Sequence, residues 1–303
     1  MKLDYDVIVV GSGPAGITSA IYLKRANINV CIMEKSAPGG QLNKSSTIEN
    51  YPGFNKISGP ELAYSFYEQI LNLNIPFINE EVIEIEDKTS YKIIKTNKKT
   101  YTCKGVILAL GRKPRSFDNE NVSLLEGKGV SYCSLCDGPL FKNQDVSIIG
   151  GGNSALEESL YLSDICKSVT IINRRDVLRG DKILVNKILN KKNINILYNS
   201  EVVEFNKKDD FLESLTIKTN DKLNKLEVKA CFIFIGYVPA TDFLNNLDIL
   251  DEKGYIKTDK NLKTDIPFIY ACGDTINKEV YQIVTATGEG AVSAISFIND
   301  YNS

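Results

Sequence analysis

Two stretches of this 303-residue chain follow one pattern. The first, DVIVVGSGPAGITSAIYLKRANINVCIMEK, begins at Asp6, and the second, DVSIIGGGNSALEESLYLSDICKSVTIINRR, begins at Asp145. Each opens on a short β-branched run, Val7–Val10 or Val146–Ile149, of the kind that forms a buried strand. Each then passes through a glycine-rich turn into an amphipathic segment that predicts a helix, about Pro14 to Arg25 and Ser154 to Ile165. A second apolar run closes each copy, Val30–Met33 and Val169–Ile172. Gly11 to Glu34 and Gly150 to Asn173 are both 23 residues, so the copies align without a gap. A strand, a crossover helix and a second parallel strand form a βαβ unit. Two such units predict an α/β chain with two Rossmann-like dinucleotide-binding domains.

The residues of the first turn have separate physical tasks. Gly11, Gly13 and Gly16 give G-x-G-x-x-G. In that pattern the first glycine makes the tight turn, the second lets backbone approach a pyrophosphate, and the third lets helix and strand pack closely. The helix start then offers free N–H groups to phosphates. Glu34, at the end of the second strand, can accept hydrogen bonds from ribose hydroxyls. In the second copy, Gly150, Gly152 and Ala155 give G-x-G-x-x-A, with Asn153 and Ser154 inside the turn. Its aligned end residue is Asn173, followed by Arg174, Arg175 and Arg179. A carboxylate there would repel a 2′-phosphate, whereas guanidinium groups pair with one. The first site therefore fits a dinucleotide with a free ribose, FAD or NAD, and the second fits NADPH.

Composition narrows the function classes. Net charge is −2 with no basic block, which argues against a nucleic-acid partner. No apolar run approaches the ~18 residues of a membrane helix, and the N-terminus lacks the basic and long apolar segments of a signal peptide. A cytoplasmic protein is expected. The seven cysteines are odd in number and scattered, unlike a secreted disulfide framework. Only Cys133 and Cys136, in SYCSLCDGPLF, form a close pair. Read alone, that stretch allows a redox dithiol, half of a zinc site, or two ordinary core thiols. The chain has no histidine, which removes the commonest general base and the commonest zinc ligand. Near the C-terminus an apolar run, Pro267–Ala271, ends at Gly273-Asp274, where a carboxylate can meet a cofactor hydroxyl.

The order of GSGPAG, PGGQLNKSSTIENYPGF, VILALGRKPR, CSLCDG, GGGNSALEESLYL, NRRDVLRG and ACGD resembles that of the low-molecular-weight thioredoxin reductases, from Val7 to about Phe297. These are FAD-dependent members of the pyridine nucleotide-disulfide oxidoreductases. The resemblance implies an FAD domain, 1–114 and 242–303, interrupted by an inserted NADPH domain, 115–241. GRKPR and GYVPATDF, with Gly and Pro after apolar runs, stand near the crossings at Pro114 and Thr241. It implies flavin-site roles for Ser12, Gly13, Pro14 and Ala15, for Glu34, and for Gly40, Gln41 and Leu42. Asn50, Val82, Gly273, Asp274, Gln282 and Ile283 complete that set.

The implied activity is thioredoxin reduction, with electrons passing from NADPH through FAD to a Cys133–Cys136 disulfide and on to thioredoxin. By the same resemblance Cys136 faces the flavin and Cys133 attacks the partner; Asp137, a carboxylate beside the thiol pair in a chain without histidine, is expected to be the general acid. The inserted domain is expected to rotate about its connectors, and the protein to be a homodimer. The larger disulfide reductases differ: they carry a C-x-x-x-x-C shortly after the first glycine motif, a catalytic histidine and a C-terminal interface domain, all expected to be lacking here. Two positions depart from the family pattern, Asn173 where His is usual and Tyr281 where Arg precedes Gln282. They leave two rivals, a ferredoxin-fed flavin thioredoxin reductase and a redox-sensing flavoprotein that does not turn over.

Overall fold

The computed structural model describes residues 2–303. The chain divides into two compact units. The first runs from the N-terminus to Asn43 and includes Ile48–Lys113 and Val238–Ser303; the second comprises Lys44–Thr47 and Pro114–Tyr237.

In the first unit, β1 (Tyr5–Val10) pairs in parallel with β2 (Val30–Glu34) and with β6 (Thr100–Leu108). β3 (Phe77–Asn79) extends the sheet beyond β2, and β17 (Ile269–Ala271) lies parallel to the end of β6. β4 (Val82–Asp87) and β5 (Lys92–Thr96) add an antiparallel meander on the other side of β6. Val7, Ile8 and Val9 are fully buried, as befits a parallel sheet covered on both faces. α1 (Pro14–Arg25) begins with proline at its first turn, where the missing N–H costs no hydrogen bond. α2 (Gly59–Asn72) starts at a Ser58–Glu61 capping box. α7 (Ile283–Tyr301) packs on α1 through small residues: a Cβ on Gly290 would lie 2.3 Å from the Ala15 carbonyl oxygen. There the Ser19 hydroxyl donates to Gly290 O at 2.9 Å.

The second unit holds a five-stranded parallel sheet in the order β11-β10-β9-β15-β8. Its strands are β8 (Val130–Ser131), β9 (Asp145–Ile149), β10 (Ser168–Ile172), β11 (Ile194–Leu197) and β15 (Ala230–Ile233). Successive residues alternate between two cores. Ile148, Ile171 and Phe232 pack with Leu156 and Leu162 of α5 (Asn153–Ile165), with α6 (Lys182–Leu189) alongside. Ile149, Ile172 and Cys231 pack on the other face, against Phe205, Leu215 and Ile217. Those residues belong to an antiparallel meander of β12 (Ser200–Lys208), β13 (Phe211–Thr219) and β14 (Lys222–Glu227). α3 (Glu120–Leu125) closes that core with Val122 and Leu125, and the single turn α4 (Ser134–Asp137) follows β8.

The chain changes units at two short strands, β7 (Arg112–Pro114) and β16 (Tyr237–Pro239), which pair as a two-stranded ribbon. The second changeover thus falls at Tyr237–Val238, ahead of the expected Thr241, because pairing to β7 fixes where the strand crosses. The segment Lys44–Thr47, read from sequence as part of the first unit, has its contacts with the second.

The tightest packing in the first unit is at Gly16, where a Cβ would sit 2.0 Å from the Gly11 carbonyl oxygen, while a Cβ on Gly13 meets nothing within 4 Å. Gly16→Val is expected to cost about 3 kcal/mol, since backbone cannot yield as a side-chain tip can. That corresponds to a fall in Tm of roughly 6–12 °C. Gly13→Ala should melt close to the parent, and thermal melting of both variants checks the pair.

Candidate functional site

Parallel strands deliver the segments at their carboxyl ends to one edge of a sheet. In the first unit β1, β2, β6 and β17 share a direction. That edge collects the Gly11–Gly13 turn, Glu34, Arg112 and the Gly273–Asp274 turn. Gly11 has φ +101, and its missing Cβ leaves room for the Ala109 carbonyl. Gly13 caps α1 with no side-chain bond, so the first N–H groups of the helix face open space beside Ser12, Pro14 and Ala15. Gly40 packs on Gly13, with a virtual Cβ 3.3 Å from its Cα, and Gly273 packs on Ala15. The glycine turn, the PGGQ loop and the ACGD turn therefore meet.

Glu34 is already engaged there. Its Oε2 accepts from the Ser12 N–H and hydroxyl, both at 3.1 Å, and its Oε1 accepts from the Ser36 N–H and hydroxyl at 3.0 and 3.1 Å. A ribose hydroxyl would replace one of the serine hydroxyls. Gln41 Nε2 donates to Arg112 O at 2.6 Å, and Asn50 Nδ2 donates to Gln282 Oε1 at 3.2 Å beside Ile283 at the start of α7. Leu42 is buried against Ile48 and Leu62. Val82 is buried in the core of the unit, one residue past Glu81, whose carboxylate pairs with Lys35 next to Glu34.

The sequence reading missed what holds Asp274. Arg112 donates to Asp274 Oδ2 through Nε and Nη2, at 3.2 and 3.0 Å, and its guanidinium lies 3.7 Å from the centre of the Tyr281 ring. Lys278 bonds Glu289 at 2.7 Å and approaches Asp274 at 3.6 Å, and Glu289 also accepts the Gly273 N–H at 2.8 Å. Tyr281 replaces the arginine usual before Gln282, yet a guanidinium still stands beside it, brought by Arg112. The arginine after the β6 run was visible in sequence, but its partner is 162 residues away.

In the second unit the same logic places the Gly150–Ala155 turn after β9, the arginine loop after β10 and the cysteine pair after β8. Gly150, at φ +141, would carry a Cβ 2.4 Å from the Phe234 carbonyl oxygen, whereas Gly152 has nothing within 4 Å and caps α5 without a side-chain bond. The arginine loop is laced to this turn. The Arg179 N–H donates to Gly151 O at 2.7 Å, and Asn153 exchanges bonds with Asp181 at 2.7 and 3.0 Å. Ser154 follows in the first turn of α5, and Ala155 is buried. Asn173 is only 5% exposed and donates to the carbonyls of Arg175 and Val177 at 3.0 and 2.8 Å. It shapes the loop from within, and the guanidinium groups are presented by the exposed Arg174, Arg175 and Arg179. Among the described residues, these three make no ion pair.

Cys133 and Cys136 are joined in a disulfide. Cys133 is the N-cap of α4, is 9% exposed, and its Sγ accepts the Cys136 N–H at 3.2 Å. Cys136 is exposed. The Ser131 hydroxyl accepts the Cys133 N–H at 3.0 Å and donates to Asp137 Oδ2 at 2.6 Å, tying the acid to the cysteine loop. The other cysteines, Cys31, Cys103, Cys166, Cys231 and Cys272, are free and buried. Burial pushes Cys166 and Cys272 up to about 11 and Cys103 and Cys231 up to about 12, and raises Cys31 as well. Among the described residues, no cluster of three or more His, Cys, Asp or Glu could hold a metal, and no helix is long and apolar enough to cross a membrane.

Comparison with known proteins gives consistent matches. The profile of the pyridine nucleotide-disulphide oxidoreductases matches residues 5–290. A thioredoxin reductase of Ureaplasma parvum is 44% identical over 96% of this chain and 95% of its own length. The solved thioredoxin reductase of Lactococcus lactis, 38% identical, covers 98% of this chain and 99% of its own at a TM-score of 0.96. A ferredoxin-flavin thioredoxin reductase from Clostridium acetobutylicum is more distant, at 31% identity over 99% of each chain and a TM-score of 0.54.

After mild reduction of the native protein, a thiol reagent is expected to modify Cys136 first and Cys133 more slowly. The five buried thiols should stay unmodified until the chain unfolds, because the thiolate is the reactive form. Peptide mass analysis over a labelling time course checks the order.

Proposed function

The chain belongs to the pyridine nucleotide-disulphide oxidoreductase family, and within it to the thioredoxin reductases; from that premise we propose that it carries electrons from NADPH, through FAD and the Cys133–Cys136 pair, to the disulfide of a thioredoxin or a thioredoxin-like protein. The observation that carries this reading is the Cys133–Cys136 disulfide, which stands at the same sheet edge as an uncapped glycine turn and three arginines that make no ion pair among the described residues.

The residues fit the two cofactors. The uncapped start of α1 at Gly13 suits a pyrophosphate, with Glu34 and Asp274 as acceptors for hydroxyl groups and Gln41, Asn50 and Gln282 as polar neighbours of the flavin. The open start of α5 at Gly152, with Arg174, Arg175 and Arg179 beside it, suits NADPH and its 2′-phosphate. With both cofactors held by these residues, they would supply the two-electron chemistry that opens a disulfide. On this reading the first compact unit is the FAD domain, and the second, Pro114–Tyr237 with Lys44–Thr47, is the NADPH domain.

When the Cys133–Cys136 bond opens, one sulfur becomes a nucleophile toward the partner disulfide and the other resolves the mixed disulfide. We assign attack to Cys133 and resolution to Cys136, following the family. Cys133 is the more buried sulfur and its Sγ is hydrogen-bonded to the Cys136 N–H, so it must be uncovered before a partner can reach it. Asp137, held by Ser131, serves as the proton donor to the departing thiol in a chain without histidine. A homodimer in the cytoplasm completes the reading by family analogy.

The test is NADPH oxidation in the presence of thioredoxin. Cys136→Ser should abolish turnover and trap the partner through Cys133; a protein bleached by reduced ferredoxin but not by NADPH would overturn the choice of donor. Arg174→Ala with Arg175→Ala should raise KM for NADPH about tenfold or more, leave kcat nearly unchanged, and narrow the preference over NADH, since a lost phosphate contact costs about 1.5–3 kcal/mol.

A further inference from the structure

The helix face beneath the cysteine loop has one unexpected member. Gly138 has no room for a side chain because Tyr161, Leu162 and Ile165 of α5 pack against it, a virtual Cβ lying 2.8 Å from Leu162 Cδ2. One turn earlier on the same face an apolar residue would be expected, and the chain has Glu158, only 4% exposed. Its Oε2 makes no hydrogen bond, and neither does the buried Ser134 hydroxyl beside it. Ser134 lies between the two cysteines, one residue from Cys133 and two from Cys136.

Burial pushes the Glu158 carboxyl up to about 7, with Glu157 adding to the rise and the polar groups of Ser46 and Ser134 nearby opposing it. The groups around it are few. α5 itself contributes Glu157 and Tyr161, the 44–47 segment contributes Ser46, and α4 contributes Ser134, which stands in sequence between the two cysteines and ahead of Asp137. Among the described residues no cation bonds the carboxyl, so its charge responds to charge appearing in the loop above.

We propose that Glu158 is a positioning residue of the dithiol: its buried carboxyl, set against Ser134, takes up a proton when the Cys133–Cys136 bond opens and releases it when the bond re-forms. Opening the disulfide places two electrons on the sulfurs. With one proton the products are a thiol and a thiolate. The new negative charge favours the neutral form of a nearby carboxyl, so a second proton enters from solvent and rests on Glu158. In total, the disulfide, the Glu158 carboxylate, two electrons and two protons become a thiol, a thiolate and a carboxylic acid. The inference rests on the dithiol reading above, and its function is to keep two negative charges from sharing one poorly solvated pocket.

The experiment equilibrates the holoenzyme anaerobically with mixtures of reduced and oxidised dithiothreitol from pH 6 to pH 9. The oxidised fraction of Cys133–Cys136 is then read by alkylation and peptide mass. Below pH 7, Glu158 is protonated in both redox states, and the parent and Glu158→Gln should show the same pH slope. Above it, opening the parent disulfide consumes an extra proton, so its reduction constant should fall several-fold relative to Glu158→Gln, with tenfold per pH unit as the upper bound. Parallel curves across the whole range overturn the role. A pair that no dithiothreitol ratio opens sinks the dithiol reading, and this role with it. Infrared difference spectra of the parent protein, with labelled glutamate at pH 7.5, give a measure that needs no variant: reduction should add one protonated glutamate carboxyl, and no such band refutes the proposal.

Discussion

In the first unit a helix is held against the turn that precedes it at a distance no side chain permits, and the second unit repeats the approach less closely. Gly16 lies against the Gly11 carbonyl, and in the second unit the missing Cβ of Gly150 would approach Ala155 at 3.1 Å. That closeness fixes where each helix begins and aims its first N–H groups at the sheet edge. Everything on that edge is placed relative to it. The PGGQ loop and the Gly273 turn rest on the start of α1, and the arginine loop is hydrogen-bonded to the turn before α5. A methyl group at Gly16 would therefore displace that edge as well as a helix.

Charge at the first edge is organised by pairing rather than by isolated groups. Asp274 is shared by Arg112 and Lys278, and Glu289 by Lys278 and the Gly273 N–H. Burial raises the Glu289 carboxyl, and Lys278 opposes that rise. Partly buried charges persist where each has a partner, so removing one member would strand the others. The second edge is the opposite case. Its guanidinium groups are exposed and make no ion pair among the described residues, as suits the NADPH site proposed there.

The two βαβ units were legible in the sequence because their signals are local: an apolar run, glycines at fixed spacing, and a helix. The structure places α1 at Pro14–Arg25 and α5 at Asn153–Ile165, within a residue of the reading. Gly11 turns with a positive φ and Gly16 packs against it, as their spacing suggested, and open space lies beside Gly13. What the sequence could not show depends on distant pairing. Arg112 reads as a connector residue until β17 brings Asp274 beside it. The changeover at Tyr237–Val238 depends on a ribbon with β7, and the attachment of Lys44–Thr47 has no local signal. Asn173 read as a neutral gap in an arginine motif and is in fact the buried brace of that loop. Glu158 was hidden inside a motif whose glycines drew the attention, and only packing shows that its face of α5 is turned inward.

The seven sulfurs of this chain are sorted by their surroundings into two populations. Five are sealed in cores where desolvation holds them protonated at any physiological pH, and two stand on a loop where the bond between them is within reach. A protein that passes electrons among disulfides continually meets partners able to exchange with any thiolate they touch. Burying the five keeps them out of that traffic: the molecule can spend its life breaking and remaking sulfur bonds without ever rewiring its own.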